Sequence, residues 1–123
     1  MKIVDSSGWV EYLTDGPLAE EYARYLADLT EVLTPSVVLF EVYKWVKRER
    51  GEDEALLVAA QLEKTEVVPL TSTIALTAAD ASLEHGLAMA DAIVFATAAV
   101  TQAELFTSDR DFARLPGVTY LEK

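Results

Sequence analysis

Apolar and polar positions divide the chain into short blocks whose period switches between the strand value of two and the helical value of about 3.6. Lys2 to Val4 is a β-prone run ending at Asp5, and Ser6 and Ser7 stand where they can cap a helix over Trp9, Val10 and Leu13. Gly16-Pro17 breaks the pattern, after which Leu18, Tyr22, Tyr25, Leu26 and Leu29 mark a second, amphipathic helix. Glu31 to Leu33 fits a brief strand. Thr34-Pro35 then reads as an N-cap with proline in the first helical position, leading into a helix that stops at Gly51. Glu52 to Lys64 continues as a helix rich in Ala and Leu, and Glu66 to Leu70 is a Val-rich strand. A helix from about Ser72 to His85 follows, then, past Gly86, the helix that carries Asp91. Glu104 to Thr107 reads as a strand, Ser108 to Asp111 as a turn, and Val118 to Leu121 as a last strand. This alternation predicts an α/β fold with a central parallel sheet of about five strands and helices on both faces. In such sheets ligands bind beyond the carboxyl ends of the strands.

A few carboxylates violate the pattern. Asp91 is the only charge in GLAMADAIVFATAAV, and Glu41 is the only charge between Thr34 and Tyr43, in a half-helix apolar on nearly every side. Asp5 ends the first strand and Asp109 follows the strand ELFT by one residue, so both fall on the carboxyl edge. Each has a plain structural reading. Asp91 suits a helix's first turn, Glu41 can pair with Lys44, Asp5 can cap a helix and Asp109 can belong to a turn. Together they favour convergence, since all fall on strand ends or apolar helix faces of one small chain. Like charges at ~4 Å and an effective dielectric near 20 cost about 4 kcal/mol per pair, so a converged cluster requires a counter-cation. Oxygen-only ligation suits Mg²⁺ or Mn²⁺, which can activate water and stabilise charge on a phosphodiester.

Composition narrows the alternatives. The 123 residues suit one domain, 1–123, and 51% hydrophobic with 25% charged residues is a globular balance without low complexity. No cysteine is present, which excludes disulfides, thiolate catalysis and thiolate zinc sites, and one histidine excludes histidine-cluster metal sites and a nucleophilic triad. That histidine, His85, precedes Gly86 at a helix end, where the macrodipole explains it. The apolar runs are shorter than the ~20 residues of a bilayer span and no signal-peptide layout is visible, so a cytoplasmic protein with no membrane association is expected. A formal net charge of −11 is the opposite of a generic nucleic-acid binder. Binding a polyanion would therefore need a local basic patch. Lys44, Lys47, Arg48 and Arg50 form one, and Lys44 and Arg48 share the helix face of Glu41, where they can guide phosphates. A solvated helix end that complements the macrodipole is the simpler account of the same residues. The stripe from Tyr22 to Leu29 reads as core, with a dimer or partner-protein surface as the other reading.

In this order the residues resemble a PIN domain, particularly the single-domain VapC-type toxins of toxin-antitoxin pairs. The likeness rests on Asp5-Ser6-Ser7 after the first strand, Glu41 inside a capped helix, HGLAMADAIVFATA with Asp91, and LFTSDRDF, and it spans essentially the whole chain. It implies a Mg²⁺- or Mn²⁺-dependent endoribonuclease acting on single-stranded RNA, a homodimer, inhibited by a small antitoxin. It implies Asp5, Glu41, Asp91 and Asp109 as catalytic and metal-binding acids, with Ser6 and Thr107 in support. Asp111 stays open between an auxiliary acid and a turn residue before Phe112. A housekeeping RNA-processing nuclease of the same fold is the nearest alternative, and a catalytically silent binding module a more distant one. A receiver-like signalling module would want adjacent acids after the first strand and a lysine after a late one. Here Asp5 is followed by Ser-Ser, and the fourth strand leads into TSDRDF.

Overall fold

In the computed structural model, which describes residues 1–123, β1 (Lys2–Val4), β2 (Val32–Pro35), β3 (Glu66–Val68), β4 (Glu104–Thr107) and β5 (Val118–Tyr120) form one sheet. Its order is β3-β2-β1-β4-β5 and every pairing is parallel. Parallel strands need long crossovers, here supplied by α1 (Ser6–Leu13), α2 (Ala19–Tyr25), α3 (Ser36–Arg50), α4 (Glu52–Leu62), α5 (Ser72–His85) and α6 (Met89–Thr101). From β1 the chain steps outward through β2 to β3, then returns to β4 on the other side of β1 and steps outward again. The reversal between β1 and β4 is a topological switch point, where an open α/β sheet leaves a crevice at its carboxyl edge. Val4 pairs with Phe106, and the Asp5 N–H donates to the Phe106 carbonyl at 3.0 Å. Asp5 and Thr107 therefore leave the sheet side by side at that crevice.

The helices bury stripes at their own period. Val38, Val42 and Val46 of α3 and Ala55, Val58 and Leu62 of α4 are buried, and Gly51 between them adopts a φ of 93° that admits the sharp change of direction. On α2, Tyr22 is fully buried and Tyr25 stacks on Phe106 with ring centroids 4.0 Å apart, so this stripe serves the core. No single helix is long and apolar enough to cross a membrane.

Several element boundaries differ from those read in the sequence. Pro35 is the last residue of β2, paired with Val68, rather than the first of a helix. A strand's terminal position tolerates the missing N–H, and pairing with β3 outweighs the local helix-start signal. Ser6 and Ser7 lie inside the first turn of α1, and Asp5 takes the N-cap position with extended backbone. The second helix ends at Tyr25, and Leu29 falls in a separate 3-10 turn, Leu29–Glu31, capped by the Asp28 carboxylate.

Candidate metal centre

Asp5 leaves β1 almost fully buried, at 3% exposure, and its Oδ2 accepts hydrogen bonds from Ser7 Oγ at 3.0 Å and Thr107 Oγ1 at 2.9 Å. Its carboxylate does not cap α1, which leaves it to the crevice. Thr107, the fully buried end of β4, also accepts the Asp109 N–H at 3.0 Å. One hydroxyl thus ties the acid after β1 to the acid after β4. Ser7 reinforces the link by accepting the Ser108 N–H at 3.1 Å, and Ser108 Oγ meets Tyr22 Oη at 2.6 Å. Asp109 Oδ1 accepts the Asp111 N–H at 2.9 Å and so caps the 3-10 turn Arg110–Phe112. Asp91 enters from the first turn of α6 and Glu41 from the sixth position of α3.

Asp5, Glu41, Asp91 and Asp109 line one cleft of about 600 Å³. The tightest group within reach of it is a different set. Carboxylate oxygens of Asp91, Asp109 and Asp111 all lie within 4.8 Å of one another. Asp111 thus belongs to the turn by its N–H, while its carboxylate lies near those of Asp91 and Asp109.

The electrostatics are those of acids without an internal counter-ion. Burial pushes the Asp91 carboxyl up to about 7, and the charges of Asp109, Asp5, Asp111 and Glu41 push the same way. The favourable field at a helix N-terminus is outweighed. Burial also raises Asp5, against the hydrogen bonds from Thr107 and Ser7. Glu41 is raised first by burial and then by Asp5, with a hydrogen bond from Ser6 opposing. Lys44 and Arg48 line the cleft, but neither pairs with these acids. Lys44 Nζ sits 5.5 Å over the Phe40 ring, and Arg48 Nε contacts Glu49 Oε1 at 3.2 Å. Lys47 and Arg50 instead pair with Glu52 and Glu54 on α4. Hard oxygen donors held against mutual repulsion, with no sulfur or imidazole beside them, fit Mg²⁺ or Mn²⁺.

Ser6 stands out in the sequence as a supporting residue, but Ser7 is the one that bonds Asp5 directly. Two further cleft residues were not among the candidates, Glu11, only 5% exposed, and Lys123, whose Nζ lies 3.4 Å from Glu11 Oε1. Glu11 carries the same signal as Glu41, an acid in an apolar run, here GWVEYL.

A family model described as PIN domain matches residues 2–118. Among solved structures, the chain is similar to a toxin-antitoxin complex from Klebsiella pneumoniae, with 25% identity, a TM-score of 0.82 and 100% of both chains covered. It is similar also to a sarcin-ricin loop cleaving VapC toxin from Mycobacterium tuberculosis, with 20% identity, a TM-score of 0.75, and 100% of this chain and 98% of that one covered. A DNA-bound VapBC complex from Salmonella typhimurium matches with 16% identity and a TM-score of 0.75, over 99% of this chain and 98% of that one. The last two likenesses carry the fold alone. No curated protein matches significantly in sequence.

Proposed function

The chain belongs to the PIN domain family, and from that premise we propose that it is a VapC-type toxin, a Mg²⁺- or Mn²⁺-dependent endoribonuclease that cleaves single-stranded RNA. The observation that carries this reading is the approach of the Asp91, Asp109 and Asp111 oxygens to within 4.8 Å of one another, beside a cleft also lined by Asp5 and Glu41. When bound, a divalent cation supplies water activation and neutralisation of phosphodiester charge. Asp91, Asp109 and Asp111 would hold it. Asp5, oriented by Thr107 and Ser7, and Glu41, which lines the cleft with Ser6, complete the acidic wall. Lys44 and Arg48 stand on the α3 side of the cleft, where a phosphate backbone would pass.

A toxin must be silenced, and the solved toxin-antitoxin complex similar to this chain supports a small antitoxin partner. Acids that no cation of the chain itself pairs with are most directly blocked by an inserted Arg or Lys that competes with the metal. A homodimer is supported by the uncharged groove between α5 and α6, lined by Leu70, Ala75, Ala78, Met89 and Ile93 among others, because copies of a chain with net charge −11 repel elsewhere. We place the protein in the cytoplasm, with its RNA.

The test is to incubate purified protein with total RNA, with Mn²⁺ or with chelator, and to sequence the RNA ends. Specific new ends that need Mn²⁺ and vanish in Asp91→Asn are expected. Ends confined to one precursor-processing site would favour the housekeeping alternative, and no metal-dependent ends at all would overturn the nuclease reading.

A further inference from the structure

The cleft contains a buried acid of another kind. Glu11, on α1, accepts the Leu18 N–H at Oε2, 3.2 Å away, and its Oε1 faces Lys123 Nζ at 3.4 Å. The turn after α1 is shaped around this carboxylate. The Gly16 N–H donates to the Glu11 carbonyl at 3.0 Å, and a Cβ at Gly16 would collide with the Glu11 carboxyl group.

Lys123 arrives by a separate route. The Leu121 N–H donates to the Thr107 carbonyl at 2.8 Å, which carries the chain past β5 along the carboxyl edge, and the Leu121 side chain packs on the core. A main-chain bond, an apolar anchor and a buried carboxylate thus bring a cation to the cleft that holds Asp5 and Asp109. An ammonium group has three N–H donors, and a single contact with Glu11 leaves others free. The Lys123 side chain is 60% exposed, so those donors are within reach of a ligand.

We infer that Lys123 is a phosphate-contacting residue of the substrate cleft, with Glu11 as the positioning residue that holds it there. The inference rests on the RNA-nuclease reading and deepens it. A polyanion entering a chain of net charge −11 needs cations fixed near the acids. Lys44 and Arg48 supply them from α3, and Lys123 supplies one from the β4–β5 side. A cation already held in place also loses less side-chain freedom when the phosphate binds.

Steady-state cleavage of a short labelled single-stranded RNA of mixed sequence, with Mn²⁺ and across a KCl series, tests this. Lys123→Ala should raise KM about fivefold and leave kcat unchanged, with a small drop in melting temperature because Glu11 loses its cation. It should also flatten the dependence of log KM on log salt by about 0.7. Lys123→Arg should restore both. Gly16→Ala keeps every charge but displaces the Glu11 carboxylate, and should raise KM by a smaller factor, about twofold. A Lys123→Ala enzyme with wild-type KM and salt slope would overturn the inference while the nuclease reading stands. A normal KM in Gly16→Ala would overturn the role of Glu11 alone. Absence of cleavage by the wild type would overturn the nuclease reading and this inference with it.

Discussion

Glu11 and Asp91 are acids on helices that line the same cleft, yet their surroundings are opposite. Glu11 is 5% exposed and partnered by a backbone N–H and a lysine, with a glycine turn folded around it. Asp91 is only half-buried, but it faces Asp109, Asp5, Asp111 and Glu41, and its carboxyl is pushed up to about 7. Burial alone therefore does not mark a reactive acid. A partnered buried acid is part of the architecture, whereas acids held against one another store a demand for an external cation.

The sharpest way to break this contrast is to remove one acid of each kind. Asp91→Asn should lower RNA cleavage by more than about a hundredfold, while its melting temperature in chelator stays the same or rises because mutual repulsion is relieved. Glu11→Ala should do the reverse in stability, with a loss of about 2 kcal/mol in urea unfolding, since it strands the Leu18 N–H and leaves a void. If Asp91→Asn were the strongly destabilised variant, Asp91 would be a structural helix-start residue. Next in size is Thr107→Val, which deletes the hydroxyl shared by Asp5 and Asp109. A loss of about 1–3 kcal/mol is expected from its urea midpoint, with Thr107→Ser restoring most of it.

Asp111→Asn should weaken Mn²⁺ binding about tenfold, less than Asp91→Asn, because Asp111 is exposed. Unchanged Mn²⁺ affinity in a titration would return it to a turn residue only. The smallest effect is on pH dependence. Asp91 has its folded carboxyl raised from the ordinary 3.8 to about 7, so between those values the folded chain binds the proton that the unfolded chain has lost. The stability this contributes is fully present below about pH 4 and is lost as pH rises through about 7. Asp5 and Glu41 are shifted in the same direction. Melting temperatures in chelator should therefore fall from about pH 5 to about pH 8, and saturating Mn²⁺ should flatten the trend. A rise over that range would mean that these acids have partners the contrast denies them.

Much of this was legible in the chain itself, for identifiable reasons. Asp91 and Glu41 stood out because an acid in an apolar helical run conflicts with its context, and Asp5 and Asp109 because they end strands. The helix Ser72–His85 was bounded by its own punctuation, with Gly86 in the left-handed conformation after it. The end of β2 was not legible, because Pro35 belongs to a strand only through its pairing with Val68. Ser7 was hidden by its resemblance to a cap. Glu11 showed the same signal as Glu41 but in a shorter apolar run, and nothing local to Lys123 announces a partner more than a hundred positions away.

The central claim is that the acids around Asp91 are a cation site, and isothermal titration of Mn²⁺ into the RNA-free protein near neutral pH tests it most directly. The account predicts saturable binding that is severely weakened in Asp91→Asn. The heat should depend on the buffer's ionisation enthalpy, because burial and neighbouring acids push the Asp91 carboxyl up to about 7 and a bound cation favours its deprotonated form. Binding of equal strength in Asp91→Asn, or no saturable binding in the wild type, would contradict it.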